Sequence, residues 1–463
     1  MQDGKKSEIN KIALSILAKI LLFFAVGIFI ISPPLQIIVR NIDQVGYEPW
    51  TYGLDNWLDN THVLKMYHRM ISYTHTFAHL TSTLLYIYAL YYIITNRTEI
   101  RKNLKAWLGR LVPLFIFAAF AVYIYAVTKI RGANEYDLTG HPYMFESIYY
   151  YILYPTTYFF CAMLIWSAKS KKALLYLLIF SALPLNIMVL VGEWIKPVKY
   201  FIGAGVSAVF HNSNHYGYYL CLVIITAALM AVYEKNIPLR VISGISAAVA
   251  TVCLNINNTL GAYLAVLFVF ILFTVYCFKW DKKYRLAAVI VIAAYLLITF
   301  IMSFWYSNIM SSFTVLFVDL GKIAEDPLES DSAGSGRWRL WKGASKYIVK
   351  QPLLGYGVEG LLNTHYIGTP HNEFLQYAEF FGIPTALLYI AAAAVVLLRV
   401  FKNSTKVSKT CLICFFTAIG YLASSFFGVA IYYTTPFIYI FLGLAYSEYF
   451  HGIKADKTQT ETE

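Results

Sequence analysis

Long apolar runs, broken by short polar segments, recur along almost the whole chain. A bilayer core needs about 20 apolar residues per crossing helix, so each run predicts a membrane span. Twelve spans fit, near residues 13–38, 74–95, 107–128, 146–167, 172–192, 214–233, 238–255, 259–279, 285–305, 383–401, 409–428 and 431–449. Pro33-Pro34 predicts a kink or an end in the first span, and Pro184 a kink in the fifth. One long polar stretch, residues 306–382, interrupts the rhythm between spans nine and ten and carries helix patterns of its own. The pattern predicts an all-α polytopic membrane protein: a single integral membrane domain over 1–463, a helical segment inserted at 306–382, and a disordered tail at 453–463.

Charge orients these spans. Only 13% of residues are charged, against about a quarter in soluble proteins, yet the formal net charge is +12. In a soluble protein that excess would suggest nucleic acid. Here the cations fall in alternate short loops: Arg97, Arg101, Lys102 and Lys105; Lys169, Lys171 and Lys172; Lys235 and Arg240; Lys279, Lys282, Lys283 and Arg285; Arg399, Lys402, Lys406 and Lys409. That is the positive-inside distribution, so the bilayer explains the charge and no nucleic-acid partner is expected. Both termini are expected to be cytoplasmic, with the tail holding Lys454 and Lys457, and 306–382 is expected to be extracytoplasmic. The apolar stretch after Lys5, Lys6 and Lys11 is too long for a signal-peptide core and reads as a retained first span. The six cysteines fall in or beside apolar runs, so no disulfide framework is expected, and Cys411-x-x-Cys414 reads as structural thiols.

Candidate chemistry gathers in the expected outer segments. Thr369-Pro370-His371-Asn372 reads as a helix start, with Thr369 as N-cap and Pro370 at the first helical position. His371 would then sit in the first turn, where the positive helix end disfavours imidazolium. It is either a general base or a capping histidine that bonds a carbonyl. Ser335-Gly336 opens a second helix, running to about Lys350, with a basic stripe of Arg339, Lys342, Lys346 and Lys350 and an apolar side carrying Trp338 and Trp341. Such a helix suits a membrane surface, whereas Arg337 stands off the stripe at the N-terminus, where a phosphate could be held. His211, Asn214 and His215 open span six; they line a wet cavity or hydrogen-bond sugar or backbone, and no H-E-x-x-H or acidic third ligand accompanies them, so no metal is expected. Arg131, Lys196 and Lys199 are either substrate cations or surface charges. The acidic, Gly/Ser-containing stretch Glu325 to Gly336 reads as a flexible connector.

The pattern of Ser335-Gly336-Arg337 with Trp341, then Pro352-Leu353-Leu354-Gly355-Tyr356-Gly357, then Pro370-His371-Asn372 with Leu375 and Glu379-Phe380-Phe381-Gly382-Ile383, resembles the O-antigen ligase and O-antigen polymerase superfamily of bacterial envelope glycan enzymes. Asn214, Gly217 and Gly261-Ala262 add to the likeness, which covers roughly the C-terminal half. The resemblance implies transfer of a glycan from undecaprenyl diphosphate to an acceptor hydroxyl at the outer face of the inner membrane, with inversion and without metal, nucleotide or other cofactor. By the same resemblance His371 would activate the acceptor and Arg337 would hold the diphosphate. The chain departs from the family at Thr259-Leu260-Gly261, where members often carry Thr-Arg-Gly. Arg131, Lys196, Lys199 and Arg339 are candidates for the missing second cation, and Asn372, beside His371, joins the substrate-facing set.

The expected function is a membrane glycosyltransferase, acting as repeat-unit polymerase or as ligase. The acceptor is a lipid-linked glycan for a polymerase, and a repeat-unit flippase and a chain-length regulator are its expected partners. The rival is a non-catalytic flippase or exporter of lipid-linked glycan. Transporters place ionisable residues in mid-span, whereas here they cluster at the outer ends.

Overall fold

The computed structural model describes residues 2–44, 61–134, 137, 138, 140, 146–195, 207–210, 212–306, 308–327, 330–358, 369–432 and 434–452, with side chains in the first two helices described over 11–35 and 74–95. Among the described residues all regular structure is helical. Among the described residues nine helices are long and apolar enough to cross a membrane. They are α1 (Gln2–Gln44), α2 (Thr61–Thr95), α4 (Leu104–Arg131), α6 (Ala168–Trp194), α7 (Ser213–Tyr233), α8 (Ile237–Asn257), α9 (Leu260–Lys279), α10 (Arg285–Ser303) and α14 (Ile383–Lys402). The short α3 (Arg97–Lys102) links α2 to α4. Shorter α5 (Ile148–Leu164), α15 (Lys409–Ser425) and α16 (Thr435–Phe450) stand at the other three positions expected of spans. The molecule is an all-α, multi-pass membrane protein.

Burial follows the hydrophobic pattern. A helix apolar all round belongs inside a bundle, and α7 and α16 are buried on nearly every face. By contrast α10 leaves Leu286, Ile290, Leu297 and Phe300 exposed, as a lipid-facing helix does. The largest fully buried side chains are tyrosines, among them Tyr151, Tyr154, Tyr377, Tyr389 and Tyr439. At one end of the bundle the basic loops are tied to acids: Lys171 to Glu448, Lys172 to Glu234 at 2.7 Å, and Lys409 to Asp281 at 2.7 Å.

One local expectation changes in part: the first helix does not end at Pro33-Pro34 but continues to Gln44, which is tolerated because prolines in membrane helices have their lost hydrogen bonds made up by small local adjustments. The connector before Arg337 folds back on itself in its described part. The Gly334 N–H donates to the Asp319 carboxylate at 2.8 Å, and the Trp338 indole N–H to the Pro327 carbonyl at 2.7 Å.

Among its described residues the interhelix segment holds three helices: α11 (Asn308–Glu325), α12 (Arg337–Lys350) and α13 (Glu373–Phe381). Its glycine motifs explain how it docks. The Tyr356 and Gly357 N–H groups donate to the carbonyls of Glu379 and Phe380, at 2.9 and 2.8 Å, and the Ile383 N–H donates to the Pro352 carbonyl at 2.8 Å. Backbone therefore lies on backbone. A Cβ at Gly355 would sit 2.5 Å from the Phe380 carbonyl, and one at Gly382 would sit 2.2 Å from the Leu353 oxygen. Arg131, at the end of α4, clamps this junction from the side. It pairs with Asp137 at 2.8 Å and donates to the carbonyls of Leu354 and Phe380 at 3.2 and 3.1 Å.

Candidate active site

Three helix starts converge at the end of the bundle away from the basic loops. The first is α7, whose N-cap Asn212 accepts the Asn214 N–H at 2.8 Å. The outer turn between α8 and α9 braces it, since Asn257 and Thr259 both donate to the Ser213 carbonyl, at 2.8 and 3.3 Å. Gly217 permits that approach; a Cβ there would lie 2.6 Å from Thr259. The second is α12, which begins at Arg337 directly after Gly336 in the left-handed region (φ 82°). Its Trp341 packs edge-on against Phe426 (centroids 5.4 Å) in the turn after α15. The third is α13. Asn372, not Thr369, is its N-cap, and its side-chain oxygen accepts the N–H groups of Phe374 and Leu375, both at 3.1 Å. His371 precedes the helix with a positive φ of 47°, a backbone that cannot continue into the first turn.

These starts bring Arg337, Asn214 and His371 together. An Arg337 terminal nitrogen donates to the Asn214 side-chain oxygen at 3.3 Å. The guanidinium also interacts with the hydroxyl of Tyr218, which itself donates to the Phe427 carbonyl. The Arg337 Nε and Trp341 Nε1 atoms are buried with no hydrogen-bond partner among the described residues. An unmade hydrogen bond at a buried charged donor is costly, and an anionic oxygen is the ligand that would satisfy it. Burial, and then the charge of Arg337, hold His371 down to about 4, so the imidazole is neutral at pH 7.

The adjacent Glu373 turns into the bundle. Its carboxylate accepts from the Tyr421 hydroxyl at 2.9 Å, and burial pushes it up to about 7. Neither Tyr218 nor Glu373 stood out in the sequence as a site residue. For Tyr218 a signal existed, because it lies four residues after Asn214 and so on the same helix face. For Glu373 none did, since an acid in a first turn is ordinarily solvated.

The remaining candidates divide. Arg339 lies exposed on the outer face of α12, in the field of Asp331 and Lys342. Arg131 has its donors committed to Asp137 and to two backbone carbonyls, and Asn372 serves as a cap. His215 is buried one residue beyond Asn214. Lys196, Lys199 and His211 lie outside the described residues. Leu260 opens α9 next to Gly261, where a Cβ would lie 2.7 Å from Phe427, so the position of the family arginine adjoins the same turn that holds Tyr218 and Trp341.

The fold is a multi-pass helical bundle that brings an arginine and a neutral histidine together at one end. Residues 245–390, which include both, match the family model described as O-antigen ligase, and over that stretch the chain carries a domain of the O-antigen ligase and polymerase superfamily. That domain indicates an enzyme of glycan transfer, with lipid-linked glycan and acceptor as its substrates in a membrane. No curated protein matches the chain.

Proposed function

We propose that the protein transfers a glycan from undecaprenyl diphosphate to an acceptor hydroxyl at the outer face of the inner membrane, as a repeat-unit polymerase or an O-antigen-type ligase. The observation that carries this reading is the meeting of Arg337 and His371, 34 positions apart in sequence, beside Asn214. In the proposed step the acceptor O–H gives its proton to the His371 imidazole. The acceptor oxygen bonds to the anomeric carbon from the face opposite the diphosphate, inverting it. The bond from that carbon to the diphosphate oxygen breaks, and undecaprenyl diphosphate leaves with the electron pair. Arg337 stabilises the charge growing on the leaving oxygen, an interaction strongest in the transition state.

The test is purified protein given undecaprenyl-diphosphate glycan and candidate acceptors. His371→Ala is expected to cut turnover by about 10²–10⁴-fold with donor binding retained. Arg337→Ala is expected to cost about 10²–10³-fold and to weaken donor binding, and Arg337→Lys restores little because an ammonium lacks the fork. Undiminished product from the two alanine variants would overturn the assignment. Movement of lipid-linked glycan across vesicles without new glycosidic bonds would instead identify a transporter.

A further inference from the structure

At the other end of α4 from Arg131 and the candidate site, a cavity of about 270 Å³ opens where α1, α2, α3, α4 and the last turn of α16 meet. Lys19 from α1 and Arg110 from α4 line it. Both stand within apolar helices, where an ionisable side chain is costly without a partner, yet neither forms an ion pair among the described residues. Arg110 is packed in place, since a Cβ on Gly452 would lie 2.6 Å from its Nη2. The third basic group is His451, which sits 2.8 Å from the Met163 carbonyl. Burial lowers its pKa first, and Arg110, Lys19 and Lys171 then lower it further. Because Lys171 is paired with Glu448, the uncompensated positive field comes from Arg110 and Lys19. Glu99 is the one carboxylate on the wall among the described residues.

The rest of the wall is aromatic. Trp107 packs against Phe450 at 5.7 Å and against Tyr92 at 6.1 Å. Aromatic rings with one polar edge favour the headgroup level of a bilayer. Beside the polar wall, Ile16, Ile20, Ile87 and Leu90 are exposed on α1 and α2, as surface in contact with acyl chains is. The volume falls just below the roughly 300 Å³ at which small-molecule pockets begin, which suits a headgroup and not a glycan.

We propose that this cavity binds the phosphodiester headgroup of a membrane phospholipid, taken from the leaflet at the end of the bundle where α1 begins and α16 ends, with Arg110 and Lys19 on the phosphate. A basic pocket between membrane helices is a suitable receptor for such a group. The site is separate from that of the lipid-linked donor, which belongs to the opposite end.

The test is thermal unfolding of the full-length protein, delipidated in detergent and titrated with phosphatidylglycerol, phosphatidylethanolamine, diacylglycerol or inorganic phosphate. Both phospholipids are expected to raise Tm, and diacylglycerol to leave it unchanged. Lys19→Gln and Arg110→Gln are each expected to raise the half-saturating phospholipid concentration about tenfold, as loss of a hydrogen bond to a charged group would. Lys19→Gln is the safer variant for folding, and native mass spectrometry should find one fewer retained phospholipid on it than on the unaltered protein. Equal stabilisation by diacylglycerol, or equal phospholipid retention by the variant, would overturn the proposal. A rise reproduced in full by inorganic phosphate would assign a small-anion site and overturn the lipid as its source.

Discussion

His371 works against an unusual electrostatic setting. Its pKa is lowered to about 4 by burial and then by Arg337, so lowering the pH from 7 to 5 leaves it neutral, and the proposed base is lost only as pH falls through about 4. The acid limb of kcat/KM for the donor, which reports the free enzyme, is therefore expected nearer 4 than the usual histidine value of about 6.5. A diphosphate bound at Arg337 brings negative charge next to the imidazole and favours its protonated form. The acid limb of kcat should lie above that of kcat/KM, and coincident limbs in a pH–rate series would contradict the pairing. In the proposed mechanism Asn214 and Tyr218, which contact Arg337, are positioning residues. For Asn214→Ala and Tyr218→Phe, kcat/KM for the donor is expected to fall about tenfold, with the acceptor KM unchanged. Equal losses in both substrates' constants would point to a general packing defect instead.

Helices and their junctions were legible from the pattern to different degrees. The start of α12 at Arg337 agrees with the expectation from Ser335-Gly336. The start of α13 moved three residues, from Thr369 to Asn372, because an asparagine there reaches two free N–H groups at once. The motif Pro352 to Gly357 and the motif Glu379 to Ile383 look independent in sequence, but they are the two halves of one backbone contact. Gly382→Ala tests it. With φ at 91° and a Cβ 2.2 Å from the Leu353 oxygen, the alanine should cost on the order of 2–4 kcal/mol, read as a lower unfolding temperature and a smaller folded yield. A variant as stable as the parent would mean that the two segments do not dock this way. Arg131 illustrates the opposite case. Sequence presents a cation near the outer face, and the fold spends it on Asp137 and the carbonyls of that same junction.

Across the whole molecule, the alternation of basic loops makes a prediction about sidedness. A fluorescent reporter that matures only in the cytoplasm should fluoresce when fused to either end of the chain, and a signal from one end alone would reject the orientation on which the outer site depends. The sequence by itself determined the membrane class, the positions of the nine candidate spans among the described residues and the helices between α10 and α14, because hydrophobic length and loop charge act locally and sum along the chain. It also marked Arg337 and His371 as groups worth watching. Only tertiary structure decided which of these groups meet. Three helix starts bring Arg337, His371 and Asn214 together, leave Arg339 on an exposed face and commit Arg131 to the scaffold. Those outcomes turn on which buried donors and carbonyls find partners across long sequence separations, and no local pattern encodes that.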